Sequence, residues 1–253
     1  MPKRRYKIIK TAESFQSEII DFDYTLSRSC GRRTLSIGID EQARVQVSVP
    51  FRTPLQEIHA FLTEKAAWIE KCIRMAKANQ EVLSEKKYEH GAQFLFLGKK
   101  FPLSVAEDNL KRSRIEFDSQ GWRISLPQGL GNKAELVQQK LRQWYKTQAQ
   151  EILGAKAFQF ARDIGVAPKS IQIRNQKRLW GCCDWNKQSI TLNWQIILAP
   201  IPVVDYVIIH ELCHLIHPNH GKRFWNKVGK YMPHYQENRK WLRDNQIELM
   251  LPI

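Results

Sequence analysis

The most constraining feature of the sequence is the segment 210–220, HELCHLIHPNH. His210 and His214 are four positions apart, so on an α-helix their imidazoles lie on one face, about 6 Å apart along the axis, where both can reach one ion. Glu211 follows the first histidine, so its carboxylate points to the side where a metal's water would lie. The segment therefore predicts a helix that carries two metal ligands and a general base.

A catalytic zinc ion needs a third protein ligand and one open position. The candidates among the remaining histidines are His217, His220 and His234. His217 lies on the same helical stripe, but three ligands on one straight helix extend over roughly 10 Å of its axis and cannot converge. Pro218 ends the helix, so the chain can turn and bring His220 back to the metal. We predict His220 as the third ligand; the alternative is a downstream carboxylate, Glu237 or Glu248.

The sequence before this segment supports a buried helix. Residues 203–209 (VVDYVII) are mostly apolar, and Pro202 suits the first helical turn. A chance occurrence of this short motif in a helix is the alternative interpretation. Burying several histidines without a partner is costly, however, and a metal removes that cost. We therefore predict Zn²⁺ as the cofactor.

Several further motifs occur in order along the chain. They are FLTEK at 61–65, WI at 68–69, WGCC at 180–183, ITLNW at 190–194, DYVIIHELCHL at 205–215, NHG at 219–221, FW at 224–225, YMP at 231–233 and WL at 241–242. Together they resemble the YgjP-like metallopeptidases, which are related to the SprT-like small zincins. This resemblance implies a zinc site of His210, His214 and His220, with Glu211 as the catalytic carboxylate.

Two positions depart from that family's usual pattern, Arg-Trp-Gly-Ser-Cys. Leu179 stands at the arginine position and Cys182 at the serine position. Arg178 lies one residue earlier, but a shift of one residue in a strand turns the side chain to the other face. We therefore assign the role of the family's arginine to no residue of this chain.

These features predict a zinc-dependent metallopeptidase that uses a zinc-activated water, with Glu211 as the general base. The strand at 189–194 is expected to offer an exposed edge to an extended polypeptide substrate, with Asn193 and Trp194 as substrate-binding residues. Candidate donors to the oxyanion are Tyr231, His234, Tyr235 and Arg178.

Charge leaves two other functions open. The chain has 40 Lys and Arg against 25 Asp and Glu, a formal charge of +15, which attracts polyanions. Seven cations near the motif form what we call the basic rim: Lys222, Arg223, Lys227, Lys230, Arg239, Lys240 and Arg243. The rim favours a nucleotide phosphohydrolase or a zinc-stabilised nucleic-acid-binding protein as alternatives. It is also what two amphipathic helices with solvated basic faces would give.

Composition bounds the compartment. No apolar run approaches the ~20 residues that cross a bilayer, and the N-terminal residues are not those of a signal peptide. The five cysteines, an odd and scattered set, favour reduced thiols: Cys30, Cys72, Cys182, Cys183 and Cys213. We expect a cytoplasmic protein with no membrane partner; its oligomeric state stays open. Adjacent cysteines on a strand face opposite ways, so Cys182 and Cys183 are not expected to share an ion.

The order of elements predicts an α+β fold. Alternating runs at 34–39 and 44–49 indicate strands, helical spacing begins after Pro54, and strands return at 94–105 and 114–126. We place a boundary near residue 130, between a β-rich N-terminal subdomain with one long amphipathic helix (1–130) and a second domain (131–253) that the family resemblance implies is zincin-like. The second domain is expected to contain a long helix, strands at 170–174 and 189–196, the zinc helix and a closing helix.

Overall fold

A computed structural model describes residues 8–40, 42–84, 87–176 and 179–251. The protein has the predicted α+β fold and divides into two compact units, Met1–Lys86 and Lys87–Ile253. None of the helices in the described ranges is long and apolar enough to cross a membrane.

The first unit is a sheet covered by one long helix. Strands β1 (Ile8–Phe15), β2 (Phe22–Ser29), β3 (Ser36–Ile39) and β4 (Val45–Pro50) pair in the order β1-β2-β4-β3, and β2 runs parallel to β4. Helix α1 (Leu55–Ser84) buries Ile58, Leu62 and Ile69 with the sheet residues Val45 and Val47 in one core. The predicted strands and the amphipathic helix of this region are confirmed.

The second unit begins with another four-stranded sheet. Its strands are β5 (Gln93–Phe96), β6 (Lys99–Asp108), β7 (Arg114–Asp118) and β8 (Gly121–Pro127), in the order β5-β6-β8-β7. Helix α2 (Lys133–Ile164) follows and ends at Gly165, which has the left-handed φ of 79°. An aromatic cluster joins the sheet to α2: Trp122 lies edge-on to Trp144, with ring centroids 5.4 Å apart.

The boundary between the two units lies between Lys86 and Lys87, and not near residue 130 as the sequence predicted. Tyr145 on α2 donates a hydrogen bond to the carbonyl of Leu95 on β5 (2.6 Å), and its ring lies 6.2 Å from that of Trp194. Helix α2 thus shares one core with the sheet before it and with the segment after it. The sequence-based boundary relied on the Pro-Gly-Asn composition at 127–132, which is a loop within this unit.

A three-stranded sheet and three helices complete the unit. Strands β9 (Ser170–Arg174), β10 (Gly181–Asp184) and β11 (Ser189–Asn193) lie in the order β10-β11-β9. A 3-10 turn (Trp194–Leu198) leads into α3 (Ile201–His214), followed by α4 (Lys222–Tyr231) and α5 (Tyr235–Asn245). Strand β11 is the central strand, antiparallel to β10 and parallel to β9. The prediction that this strand offers an exposed edge is therefore wrong.

The turn before α3 is held from two sides, which fixes where the helix begins. The Asn193 side chain accepts a hydrogen bond from the Gln195 backbone N–H. The tip of the β5–β6 hairpin donates from Leu97 N–H to Ile197 O (2.9 Å) and from Gly98 N–H to Leu198 O (3.0 Å). Pro200 then precedes the first turn of α3. These contacts position the helix that carries the predicted metal ligands.

Candidate metal centre

The three predicted histidine ligands lie together. His210 and His214 project from α3, which ends at His214, and the following turn returns His220 to the same point. The Nε2 atom of His210 is 3.2 Å from that of His214 and 3.0 Å from that of His220, and the last two are 3.0 Å apart. Among the described residues, His210, His214 and His220 thus form a group whose ligand atoms lie close enough together to bind one metal ion.

The spacing fits a tetrahedral metal ion. Three nitrogens bound at about 2.05 Å in tetrahedral directions lie about 3.3 Å from one another. The observed separations of 3.0–3.2 Å are close to that value. Three imidazole lone pairs that converge on one point repel each other unless a cation lies among them. The donor set, three neutral nitrogens, is one that Zn²⁺ accepts readily.

The surroundings of the two helical ligands keep them neutral. The Nδ1 atom of His214 lies 3.1 Å from the backbone carbonyl of His217, which can only accept, so the proton resides on Nδ1 and Nε2 stays free to bind a metal. Burial lowers the pKa of His210 to about 3 and also lowers the pKa of His214. His217 thus takes part through its backbone and not through its ring.

The other candidates for the third ligand lie elsewhere. His234 Nδ1 is 3.3 Å from Glu237 Oε1, and both side chains are nearly four-fifths exposed. Glu248 lies 3.4 Å from Lys100 Nζ. The ring of His220 is therefore the third group that the fold brings to His210 and His214.

Two consecutive aromatic residues at the start of α4 support the ligand rings. Phe224 stacks on His214 (centroids 4.4 Å apart, planes at 26°), and Trp225 stacks on His220 (5.5 Å, 21°). Tyr235 stacks on Trp225 in turn (5.1 Å, 13°), and the guanidinium of Arg239 lies 5.0 Å from the same indole. His220 is exposed, so the stacked indole, together with the edge contact of Phe224, restricts the rotation of its ring.

Glu211 is buried against the backbone of β10. It is 6% exposed, and burial raises its pKa to about 8. A Cβ atom at Gly181 would lie 2.6 Å from Glu211 Cγ and 2.8 Å from Oε1, so only glycine leaves room for this carboxylate. A divalent cation close by would favour the ionised carboxylate again. Gly181 is a site residue that sequence reasoning missed, because the glycine of WGCC was treated only as part of a family motif.

The cluster of His210, His214 and His220 opens into a cavity of about 470 Å³. Tyr206, one helical turn before His210, lines this cavity, and burial raises its pKa to about 12, so its hydroxyl remains a donor. The predicted oxyanion donors Tyr231, His234 and Tyr235 are not among the residues that line it. Arg178 lies outside the described residues. Tyr206 was passed over in the sequence because it looked like one more apolar position on the helix.

Asn193 and Trp194 have structural roles. The amide of Asn193 donates to the carbonyls of Gln176 (2.8 Å) and Leu179 (3.1 Å), and the indole N–H of Trp194 donates to Asn175 Oδ1 (3.0 Å). Both side chains are at least 97% buried. The assignment of Asn193 and Trp194 as substrate-binding residues is therefore corrected: their polar atoms bind the protein itself.

Strand β10 is an edge strand of the sheet and lies beside the histidine cluster. The backbone N–H of Asn193 donates to the carbonyl of Trp180, so Trp180 and Asn193 form a hydrogen-bonded pair of the antiparallel ladder. Because such pairs alternate along a strand, the backbone groups of Cys182 also point toward β11. The N–H and C=O groups of Gly181 and Cys183 consequently point to the side where no described strand pairs with β10. This edge borders the histidine cluster, since Gly181 and Cys183 line the same cavity as His210, His214 and His220.

The two cysteines of β10 are not part of the histidine cluster. Cys182 Sγ accepts a hydrogen bond from Gln176 Nε2 (3.1 Å), and burial raises the pKa of Cys183 to about 11, which keeps it a thiol. Leu179, at the position of the family's arginine, is 54% exposed.

The basic rim lies on the outer sides of α4 and α5. All of its members are exposed except Lys227, which is half-buried. The ammonium groups of Lys227 and Lys230 lie 5.4 and 5.5 Å from the ring of Tyr231.

The family model of the YgjP-like metallopeptidase domain matches residues 33–245. Two crystal structures of metallopeptidase zymogens are similar to part of the chain. Pyrococcus abyssi abylysin is 22% identical, with a TM-score of 0.34, and the match covers 37% of this chain and 95% of that one. Methanocaldococcus jannaschii jannalysin is 18% identical, with a TM-score of 0.35, and the match covers 37% and 96%. No curated protein matches the sequence.

Proposed function

We propose that this member of the YgjP-like metallopeptidase family hydrolyses peptide bonds at a zinc ion held by His210, His214 and His220. Membership of the family makes the protein a hydrolase and implies a catalytic metal and polypeptide substrates. The observation that carries the proposal is the convergence of three imidazole nitrogens within 3.2 Å, beside a buried carboxylate. This arrangement lies in an open cavity, as catalysis requires and a purely structural site does not.

Zinc, when bound, supplies Lewis acidity that makes water more acidic and polarises a carbonyl group. The protein's own contribution begins with Glu211, which accepts a proton from the attacking water and passes it to the leaving amine. Its confinement against Gly181 restricts the directions in which the carboxylate can point. Tyr206 keeps its proton at neutral pH and is a donor for the negative charge that develops on the carbonyl oxygen.

The substrate would bind in an extended conformation along β10. At the edge of the sheet, next to Glu211, the backbone groups of Gly181 and Cys183 point away from β11 and have no strand partner among the described residues. A peptide that adds there as a further strand brings a backbone carbonyl to the cavity without requiring a particular side chain. A compact fold has already paired its backbone groups, so we expect unfolded or flexible segments to be cleaved in preference.

Zinc content and peptide cleavage together test the proposal. We expect about one zinc per chain in the wild type, and loss of zinc and activity in His210→Ala, His214→Ala and His220→Ala. Glu211→Gln should keep zinc and lose cleavage of a peptide library and of unfolded proteins, because an amide accepts no proton at neutral pH.

Glu237→Gln and His234→Ala are the matched controls, since they alter exposed groups of the same types outside the cluster. Both should keep zinc and activity. Zinc retained in His220→Ala, but lost in one of these controls, would overturn the ligand set. Peptide cleavage by Glu211→Gln at the wild-type rate would overturn the general-base role.

A nucleotide phosphohydrolase is the second candidate, favoured by the exposed cations of the basic rim on α4 and α5. It predicts metal-dependent release of diphosphate from nucleoside triphosphates by the wild type, absent in Glu211→Gln, with no peptide product. A zinc-stabilised nucleic-acid-binding protein predicts neither reaction, with zinc retained and with nucleic-acid binding that weakens steeply with salt.

A further inference from the structure

The open edge of β10 is flanked by two exposed apolar side chains. Leu179 lies two residues before the strand and is 54% exposed, and Trp185 directly follows the strand and is 49% exposed. Other large apolar side chains of the second unit are equally exposed, such as Phe158 on α2. Leu179 and Trp185 differ from it because both line the cavity that contains His210 and Glu211.

The rest of the cavity wall favours the same kind of guest. Trp180, Val207 and Leu242 add apolar surface, whereas no lysine, arginine or aspartate is among the described residues that line the cavity. Glu211 is the carboxylate among the described lining residues and is the proposed base, so away from it and from the histidines a charged side chain of a substrate would lose water without gaining a counterion. A large apolar side chain would instead be removed from water, which is favourable in proportion to its area.

The spacing of the two side chains suits an extended peptide. From residue 179 to residue 185 an extended chain covers roughly 20 Å, at about 3.3 Å per residue, so a strand of about six residues beside β10 reaches both ends. Gly181, against which Glu211 packs, lies between them. The bond presented to Glu211 would thus have Leu179 on one side and Trp185 on the other.

We propose that Leu179 and Trp185 determine substrate specificity by holding large apolar side chains on the two sides of the bond that is cleaved. The inference rests on the proposed peptidase function and names its substrate class: extended segments rich in Leu, Phe or similar residues, of the kind that a folded protein buries. Exposed Leu and Trp side chains beside the catalytic site then serve as binding surfaces for such segments.

Cleavage kinetics provide the first test. Eight-residue peptides with Leu or Phe about three residues to each side of the central bond, as the spacing of Leu179 and Trp185 requires, are compared with the same peptides carrying Ser or Asp at those positions. The wild type should prefer the apolar peptides by about ten-fold or more in kcat/KM, as expected from the partial burial of two large side chains. Leu179→Ala and Trp185→Ala should each reduce this preference several-fold, mainly through a higher KM.

Phe158→Ala is the matched control, because it removes an equally exposed apolar side chain from α2. It should leave the preference unchanged, and thermal unfolding of all three variants should match the wild type. Trp185→Phe should retain most of the preference. Equal preferences in the wild type and in Leu179→Ala and Trp185→Ala would refute the proposal, as would an equal loss in Phe158→Ala.

Binding without turnover separates this inference from the peptidase function itself. Fluorescently labelled apolar peptides are titrated with Glu211→Gln, alone and combined with Leu179→Ala or Trp185→Ala, and anisotropy gives the Kd. Weaker binding in the combined variants, with no cleavage by the wild type, would keep the apolar subsite and reject the peptidase. Cleavage by the wild type with unchanged Kd values in the combined variants would keep the peptidase and reject the subsite.

Discussion

Replacing Glu211 by Gln should stabilise the metal-free protein, by an amount that grows with pH. The carboxyl is 6% exposed and burial raises its pKa to about 8, from 4.5 for an unperturbed glutamate. An acid whose pKa is raised in the folded state contributes stability that is full below pH 4.5 and is lost as the pH rises to 8. Gln cannot ionise, so the folding stability of the variant does not fall over this pH range as that of the wild type does.

The size of the effect follows from the pKa difference. At pH 7 the pH is about 2.5 units above the pKa of this group in the unfolded chain. At about 1.36 kcal/mol per unit, the wild type has therefore lost about 3 kcal/mol of folding stability relative to the variant. Above pH 8 the difference levels off at about 5 kcal/mol, and near pH 4 it approaches zero.

Urea unfolding of chelator-treated proteins at pH 4.5, 7 and 8.5 measures this difference as a free energy of unfolding. Glu237→Gln is the control, since its side chain is 79% exposed, and it should match the wild type at every pH. A Glu211→Gln variant that is less stable than the wild type at pH 8.5, or a difference independent of pH, would show that Glu211 is not a buried acid without a compensating partner.

Three other predictions concern the supports of the site. Gly181→Ala should keep zinc but lose activity by about 100-fold or more, because its Cβ would displace the Glu211 carboxylate; zinc analysis and peptide cleavage check this. Trp225→Ala should lower zinc affinity by about ten-fold in a chelator competition, as expected for loss of a group that orients a ligand, whereas Trp225→Phe should retain most of it. Gly98→Ala should destabilise the protein by at least about 2 kcal/mol in urea unfolding, since its φ is +79° and a Cβ would lie 2.7 Å from Pro200 Cα.

The helix and the convergence of His210, His214 and His220 were predictable from the sequence because they follow from local rules. A four-residue spacing places two rings on one helical face, and Pro218 stops the helix before the third histidine. The α+β class and the family resemblance are confirmed for the same reason: they depend on periodicity and on ordered motifs.

What the sequence did not predict depends on contacts between distant elements. The strand at 189–194 has the alternation of an edge strand, but only pairing with both β9 and β10 shows that it is central. Similarly, nothing local to Gly181 indicates that Glu211, thirty positions later, occupies the space of its missing side chain. The unit boundary differs from the predicted one because Tyr145 on α2 contacts both Leu95 on β5 and Trp194 in the turn before α3, so the loop at 127–132 does not divide the core.

The cost of burying Glu211 connects the stability of the fold to its chemistry. In the metal-free protein a carboxylate at this position is unfavourable at neutral pH, since no described side chain donates to it and burial alone raises its pKa. A divalent cation among the three histidines would offset that cost, so binding the metal and ionising the base favour each other. The same burial therefore keeps most of Glu211 protonated at neutral pH in the metal-free protein, and a bound cation would favour the carboxylate that the proposed mechanism needs.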